Sequence, residues 1–198
     1  MIQILAAGDP ALAAEADLDR AVAEVSAYDA PDDVQGATRQ RMLSFLSTHP
    51  DGLWRSCLDG HLTGSALVVD ADAEHLLVLF HAKVRRWLQP GGHADGDANL
   101  AAVALREAEE ETGIRDLRVV RPTIDLDIHE FHAAGEADHL HLDVRFLVLA
   151  PAGAVIHGNH ESEDLRWVTL AELPGVNADA GTVRMATRGL ALARHLLH

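Results

Sequence analysis

The chain has 198 residues, of which 48% are hydrophobic, and this is long enough for one domain to bury a substantial core. Its formal net charge of −15 argues against a polymeric nucleic acid as a partner, and no apolar run approaches the roughly 18 residues of a membrane span. Cys57 is the only cysteine, so an internal disulfide is excluded, and the N-terminus lacks a secretory signal pattern. These features predict a cytoplasmic protein.

The first 50 residues are predicted to be helical. Residues 10–27 are rich in Ala, Leu and Glu, and residues 32–48 place apolar side chains at nearly helical spacing. Residues 49–52 have Pro and Gly at turn positions, which indicates the end of this section. We expect residues 1–50 to form a helical extension. It would pack on a main domain formed by residues 51–198, or on a second subunit in a homodimer.

From residue 62 onward the pattern changes to strands. Residues 64–70 and 76–81 are apolar runs separated by a short polar stretch, which is typical of a hairpin. Later apolar runs predict further strands and a C-terminal helix. Those strands lie at residues 117–120, 123–131, 141–150 and 165–170, and the helix at 181–195. The chain is therefore predicted to have an α/β fold.

Four carboxylates stand within five positions, at Glu107, Glu109, Glu110 and Glu111. At 3.6 residues per turn, Glu107, Glu110 and Glu111 share one face of a helix. Like charges at this spacing repel each other, and the helix dipole near a C-terminus disfavours anions, so a positive partner is expected. Mg²⁺ prefers carboxylate oxygens and shares them with substrate phosphates. The cluster therefore favours metal-dependent phosphate chemistry over a merely solvated helix face.

The spacing around these glutamates resembles the box of the Nudix hydrolase superfamily, G-x5-E-x7-R-E-U-x-E-E-x-G-U, where U is aliphatic. Counting from Gly92, the later positions match at Arg106, Glu107, Glu110, Glu111, Gly113 and Ile114. Ala98 stands where the motif has its early glutamate, so one carboxylate is missing. The resemblance implies a Nudix-type α/β/α sandwich around a mixed β-sheet, with residues 98–112 as the box helix.

The same resemblance implies Mg²⁺- or Mn²⁺-dependent hydrolysis of a diphosphate bond in a nucleoside diphosphate linked to another moiety. The substrate would be a small molecule. Glu107, Glu110 and Glu111 would bind the metal, with the main-chain carbonyl of Gly92 as a further ligand. Glu107 and Glu110 are also assigned to catalysis, and Arg106 would orient Glu107.

Because Ala98 cannot bind a metal or accept a proton, another acidic residue is expected to replace the missing glutamate. Asp95 and Asp97 are close in the sequence, although Asp97 is equally suited to cap the box helix. In several Nudix families a glutamate outside the box binds metal or acts as a base, and here Glu161 is favoured over Glu163. An alternative function, prompted by the same gap, is a Nudix-fold ligand-binding or regulatory domain with little or no catalysis.

The chain also contains 13 histidines and several basic residues ahead of the box. His93 lies inside the box and is predicted to contact substrate. Arg85 and Arg86 are assigned to substrate phosphate, with a solvated hairpin edge as the alternative. His139 and His141 alternate and would share one strand face. No third ligand follows at a diagnostic spacing, so an ordinary polar role is favoured for them over a metal site.

Overall fold

A mixed sheet of eight strands forms the centre of the protein in a computed structural model that describes residues 1–132, 137–159 and 162–197. The strands are β1 (Gln3–Ala6), β2 (Gly60–Val69), β3 (His75–His81), β4 (Arg86–Leu88), β5 (Gly91–His93), β6 (Arg118–Phe131), β7 (His139–Leu149) and β8 (Ser162–Thr169). The helices are α1 (Leu18–Ser26), α2 (Asp33–Thr48), α3 (Leu100–Thr112) and α4 (Ala180–Leu197), with short 3-10 turns at Pro10–Leu12 and Leu170–Val176.

Strands β2 and β7 run parallel at the centre of the sheet, and the other pairs are antiparallel. The main order is β1-β6-β7-β2-β3-β4, while β5 pairs with the first half of β2 and β8 pairs with β3. All ten residues of β2 are buried, because it has neighbouring strands on both edges and packed layers on both faces.

Alternate residues of the central strands face two separate cores. Leu62 and Val68 of β2 belong to the core shared with α1, α2 and α3, whereas Leu67 and Val69 belong to the core shared with α4. The architecture is therefore the α/β/α sandwich that the sequence predicts. In the part of the chain that the structure describes, no helix combines the length and the apolar character needed to cross a bilayer.

The first 50 residues contribute to both the sheet and one helical layer. Helices α1 and α2 begin after the capping side chains of Asp17 and Asp32 and bury apolar side chains in the core beside α3. Strand β1 pairs antiparallel with β6 at the sheet edge, so this section is not wholly helical. The sequence does not predict β1, since four residues are too few for a clear periodic pattern.

Two predicted strands, at residues 117–120 and 123–131, form the single strand β6. Its pairing with β7 shifts register between Val120 and Asp125, next to the cis peptide bond that precedes Pro122. The irregularity accommodates a proline that cannot donate to the ladder, so the strand continues past it.

Helix α3 packs closely on β2. A Cβ atom at Gly64 would lie 2.8 Å from the carbonyl oxygen of Leu100, so the glycine permits the close approach. The helix ends at Gly113, whose φ of 67° gives the left-handed cap that the sequence predicts. This packing fixes the position of the box glutamates relative to the sheet.

Candidate active site

Strand β5 and helix α3 bring two glycines against two box carboxylates. A Cβ atom at Gly92 would lie 2.5 Å from the carboxylate carbon and from Oε2 of Glu107, so a side chain at this position would displace the carboxylate. The backbone N–H of Gly91 donates a hydrogen bond of 2.8 Å to Oε2 of Glu111. Glu107 and Glu111 are therefore held against one three-residue strand.

Arg106 lies next to Glu107 on the helix and contacts its carboxylate. Its Nη2 donates to Oε1 of Glu107 at 3.1 Å, and its Nη1 lies 3.9 Å from Oδ2 of Asp97. This is the contact that the proposed orienting role requires. The role itself stays a prediction.

The box glutamates differ in their exposure to solvent. Glu111 is buried, Glu107 is half-buried and Glu110 is exposed, while the side chain of Asn159 donates to the main-chain carbonyl of Glu110 at 3.2 Å. Glu109, which lies outside the motif, is half-buried, and burial together with the nearby charge of Asp116 raises its pKa. The exposure of the box carboxylates therefore increases from the buried Glu111 to the exposed Glu110.

The donor atoms of this group suit a hard divalent cation. Glu107, Glu110 and Glu111 offer carboxylate oxygens, and the carbonyl of Gly92 belongs to the residue against which the Glu107 carboxylate packs. Mg²⁺ and Mn²⁺ prefer such oxygen ligands. The residues present therefore fit the cation that the box implies.

The position of the missing box glutamate is covered by the N-terminal section. Ala98 is 1% exposed, belongs to the core beside α3, and donates its N–H to the carbonyl of Glu15 at 2.5 Å. The side chain of Asn99 donates to the carbonyls of Ala11 and Ala13, each at 3.0 Å. Residues 11–15 thus lie across the start of α3.

The two nearby aspartates have other partners. Asp95 accepts two hydrogen bonds from Arg55, at 2.8 and 2.7 Å, and this pairing lowers the pKa of Asp95. Oδ1 of Asp97 accepts from the backbone N–H groups of Asn99 and Glu15, at 2.9 and 3.1 Å. Asp97 lies two residues before Asn99, which is the N-cap of α3 and has no side-chain cap, so Asp97 joins the preceding turn to Glu15 and does not form the predicted helix cap.

Of the remaining acidic and basic candidates, the described ones make their contacts away from the box carboxylates. Glu161 falls outside the described residues. Glu163 is exposed on β8 and pairs with Arg85, whose Nη1 donates to its Oε1 at 2.5 Å. Arg85 also lies over the ring of Phe80, and Arg86 is exposed at the start of β4. The assignment of Arg85 and Arg86 to substrate phosphate stays a prediction.

His93 lies in a cluster of four histidines. Its neighbours are His61 of β2 and His139 and His141 of β7, and one ring nitrogen from each lies within 4.8 Å of the others. Burial, followed by nearby positive charge, lowers the pKa of His93 to about 4 and that of His141 to about 2, so both rings are neutral near pH 7. The sequence shows only the alternation of His139 and His141, because His61 and His93 come from other strands.

A buried ion network continues along the same face of the sheet. The Arg145 guanidinium is fully buried and donates to Asp143 at 2.7 Å, to Asp125 at 3.2 Å and to Asp127 at 3.1 Å. Although burial opposes it, a hydrogen bond to His129 and the charge of Arg145 hold the pKa of Asp127 well below its usual range. The sequence gives no signal of this network, since it forms between β6 and β7.

Comparisons with known proteins relate this arrangement to one family. The NUDIX domain profile matches residues 60–186, which is more than half of the chain. No curated protein matches the chain.

Two solved structures resemble the fold. A C. elegans Ap4A hydrolase in a binary complex is 18% identical, with a TM-score of 0.55, over 66% of this chain and 96% of that chain. A Nudix hydrolase from M. smegmatis, RenU, is 20% identical, with a TM-score of 0.51, over 69% of this chain and 87% of that chain. At these identities the likeness shows the fold alone.

Proposed function

The chain belongs to the Nudix superfamily, and on this premise we propose that it hydrolyses the diphosphate bond of a nucleoside diphosphate linked to another moiety, with Mg²⁺ or Mn²⁺ as cofactor. The family match confirms the Nudix pyrophosphohydrolase that the box indicates. The observation that carries the proposal is the packing of Glu107 and Glu111 against the two glycines of β5.

A divalent cation held here supplies the positive charge that an attacked diphosphate and its departing phosphate require. Glu107, Glu110 and Glu111 would hold the cation through their carboxylate oxygens. Arg106 restricts the rotamer of Glu107, and the Gly91 N–H fixes the carboxylate plane of Glu111. These contacts hold the two inner carboxylates in place before substrate arrives, which is what electrostatic catalysis needs.

The exposed carboxylate of Glu110 is suited to proton transfer. It lies on the solvent side of α3, where a water molecule can approach it. We assign to Glu110, together with Glu107, the acceptance of a proton from the attacking water. Glu161 is kept as a further candidate base, as the family resemblance implies.

The substrate class rests on the family and on the similar structures. An Ap4A hydrolase is among the structures that share the fold, so dinucleoside polyphosphates belong in the first set of substrates. Arg85 and Arg86 are assigned to substrate phosphates. A homodimer, a cytoplasmic location and the exclusion of polymeric nucleic acid stay predictions.

The test uses the full chain with Mg²⁺ or Mn²⁺ and a panel of dinucleoside polyphosphates, nucleoside triphosphates and nucleotide sugars. Products are detected as phosphate released by a coupled phosphatase. Glu107→Gln and Glu110→Gln are expected to lower kcat by about 10²–10³-fold, the usual cost of removing one transition-state stabiliser. Glu109→Gln is the matched control, because it removes a carboxylate of the same helix that is outside the motif.

Two outcomes contradict the proposal. Turnover that survives both Glu107→Gln and Glu110→Gln shows that these carboxylates do not carry the reaction. Absence of turnover on every compound, together with metal-dependent ligand binding, favours the alternative of a regulatory Nudix-fold domain. This alternative is favoured by one observation: residues 11–15 cover Ala98, which stands at the position of the missing box glutamate.

A further inference from the structure

Four imidazoles meet on the sheet face that lies away from α3. His61 and His141 are direct cross-strand partners in β2 and β7, His93 belongs to β5, and His139 stands two residues before His141. The Nε2 atoms of His139 and His141 are 3.2 Å apart, and a ligand nitrogen from each of the four rings lies within 4.8 Å of the others. Among the residues that the structure describes, no carboxylate belongs to this group.

The hydrogen bonds of two rings show where their lone pairs point. Nδ1 of His139 lies 2.8 Å from the carbonyl oxygen of Ala137, and a carbonyl can only accept, so this nitrogen carries the proton. In the neutral ring the Nε2 atom of His139 is then the nitrogen with the free lone pair, and it faces His141. A ring that donates from one nitrogen to a carbonyl and offers the other is the usual arrangement of a metal-ligating histidine.

His61 has a similar but longer contact from Nδ1 to a carbonyl oxygen, and its other ring nitrogen has no partner among the described residues. Its Nδ1 lies 3.5 Å from the carbonyl oxygen of Cys57, while its Nε2 is buried and has no hydrogen-bond partner in the described structure. Buried nitrogen atoms are rarely left without a partner. This second, independent observation indicates a ligand that the protein atoms do not supply.

The surroundings hold the rings in place and keep them apart from the nearby carboxylates. Phe131 stacks on His141, with ring centres 4.5 Å apart. The closest carboxylate along β7, Asp143, accepts hydrogen bonds from Thr63, Ser65 and Arg145. The Asp143 carboxylate is therefore already satisfied by these partners.

We propose that His61, His93, His139 and His141 bind one divalent transition-metal ion, separately from the carboxylate site on α3. Neutral imidazole nitrogens suit Zn²⁺, Ni²⁺ and Cu²⁺, whereas Mg²⁺ prefers oxygen. In a tetrahedral zinc site the ligand nitrogens are about 3.4 Å apart, which follows from Zn–N distances near 2.0–2.1 Å. The His139–His141 pair is close to this spacing, and the nitrogens of the other two rings, within 4.8 Å, would move toward the ion when it binds.

The site goes beyond the proposed hydrolysis, because its ligands connect three strands. An ion bound here ties β5, which carries Gly91 and Gly92, to β2 and β7. Four protein ligands leave no open position, as in structural zinc sites. His93 then serves this ion, and the prediction that it contacts substrate is replaced.

The experiment titrates metal-free full-length protein with Zn²⁺ in excess Mg²⁺, by calorimetry, and follows Co²⁺ binding by its visible absorption. Wild type is expected to bind one Zn²⁺ at this site, to give the intense absorption of tetrahedral Co²⁺, and to unfold at a higher temperature with Zn²⁺. His139→Gln and His141→Gln are expected to weaken Zn²⁺ binding by about 10–100-fold or more and to remove the Co²⁺ signal.

Two controls identify the site. His75→Gln replaces a histidine of β3 that pairs with Asp70, and it should leave Zn²⁺ binding unchanged. Glu107→Gln should also keep the Zn²⁺ site while it lowers hydrolysis, so this proposal and the proposed function fail separately. Far-ultraviolet circular dichroism of the metal-free variants checks folding. If His141→Gln does not fold, Zn²⁺ binding is compared between wild type and His139→Gln, because His139 is half-exposed and its replacement disturbs the core less.

The proposal is overturned by any of three results. Wild type that binds no Zn²⁺ in excess Mg²⁺ excludes the site. Zn²⁺ binding that persists unchanged in a folded His139→Gln variant places the ion elsewhere. Zn²⁺ binding that is lost in Glu107→Gln and kept in His139→Gln assigns the ion to the carboxylate cluster.

Discussion

The carboxylate cluster and the histidine cluster meet at β5 but are assembled in different ways. The glutamates come from five consecutive positions of one helix, whereas the histidines come from three strands, and His61 and His141 are 80 positions apart. Helical spacing alone brings the first group together. The second group depends on the register of β2 with β5 and β7. A functional group on one helix is therefore visible in a sequence, while one that spans strands is not.

The two clusters also differ in what lies around them. The carboxylates of α3 extend from the core to solvent, and the start of the helix is covered by residues 11–15. The histidines share their sheet face with the buried network of Arg145 and three aspartates. We therefore expect substitutions on the sheet face to affect stability most, and those around α3 to affect stability less.

The largest effect is expected from Arg145→Met, which leaves Asp125, Asp127 and Asp143 without their shared partner. Removing one member of a buried ion network costs about 3–5 kcal/mol in the free energy of unfolding. Urea unfolding measures this loss. Arg166→Met is the control, since Arg166 forms an exposed pair with Asp164 and its loss should cost less than about 1 kcal/mol. Equal losses in the two variants would contradict the difference between buried and exposed pairs.

An intermediate effect is expected from Ala98→Glu, which restores the box consensus. Because Ala98 is buried under residues 11–15, the larger side chain should lower the free energy of unfolding by about 1–3 kcal/mol. We expect no gain in hydrolysis or in Mg²⁺ affinity. Ala102→Glu is a control at a less buried position of the same helix. A faster enzyme with unchanged stability would show that residues 11–15 leave the early glutamate position open.

The smallest effect is expected from Asp95→Asn. The Arg55–Asp95 pair is largely exposed, so its loss should change the free energy of unfolding by less than about 1 kcal/mol. Mg²⁺ titration of the variant should match wild type, because Asp95 is engaged by Arg55. A clear loss of Mg²⁺ affinity would instead identify Asp95 as the replacement for the missing glutamate.

Asp97→Ala provides a comparison within the same loop. It removes the acceptor for the N–H groups of Asn99 and Glu15, and loss of such hydrogen bonds costs about 1 kcal/mol. Thermal unfolding of Asp97→Ala and Asp95→Asn, side by side, should therefore show the larger shift for Asp97→Ala. The reverse order would show that the Asp97 hydrogen bonds do not stabilise this loop.

The fold class was predictable because strand and helix periodicity are local properties. The runs at 64–70 and 76–81 correspond to β2 and β3, and the C-terminal helix differs from its predicted range by one or two residues at each end. Strand β1 and the continuity of β6 past Pro122 were not predictable. Both depend on pairing with strands that are distant in the sequence.

The sequence by itself determined the family, the box helix with its glycine cap, and the carboxylates that share one face of that helix, because these follow from spacing within a few turns. Only the tertiary structure decided that Ala98 is covered, that Asp97 binds the backbone of Glu15 and Asp95 pairs with Arg55, and that four histidines converge. These features depend on which strands and segments become neighbours, and that is fixed by long-range packing and strand register.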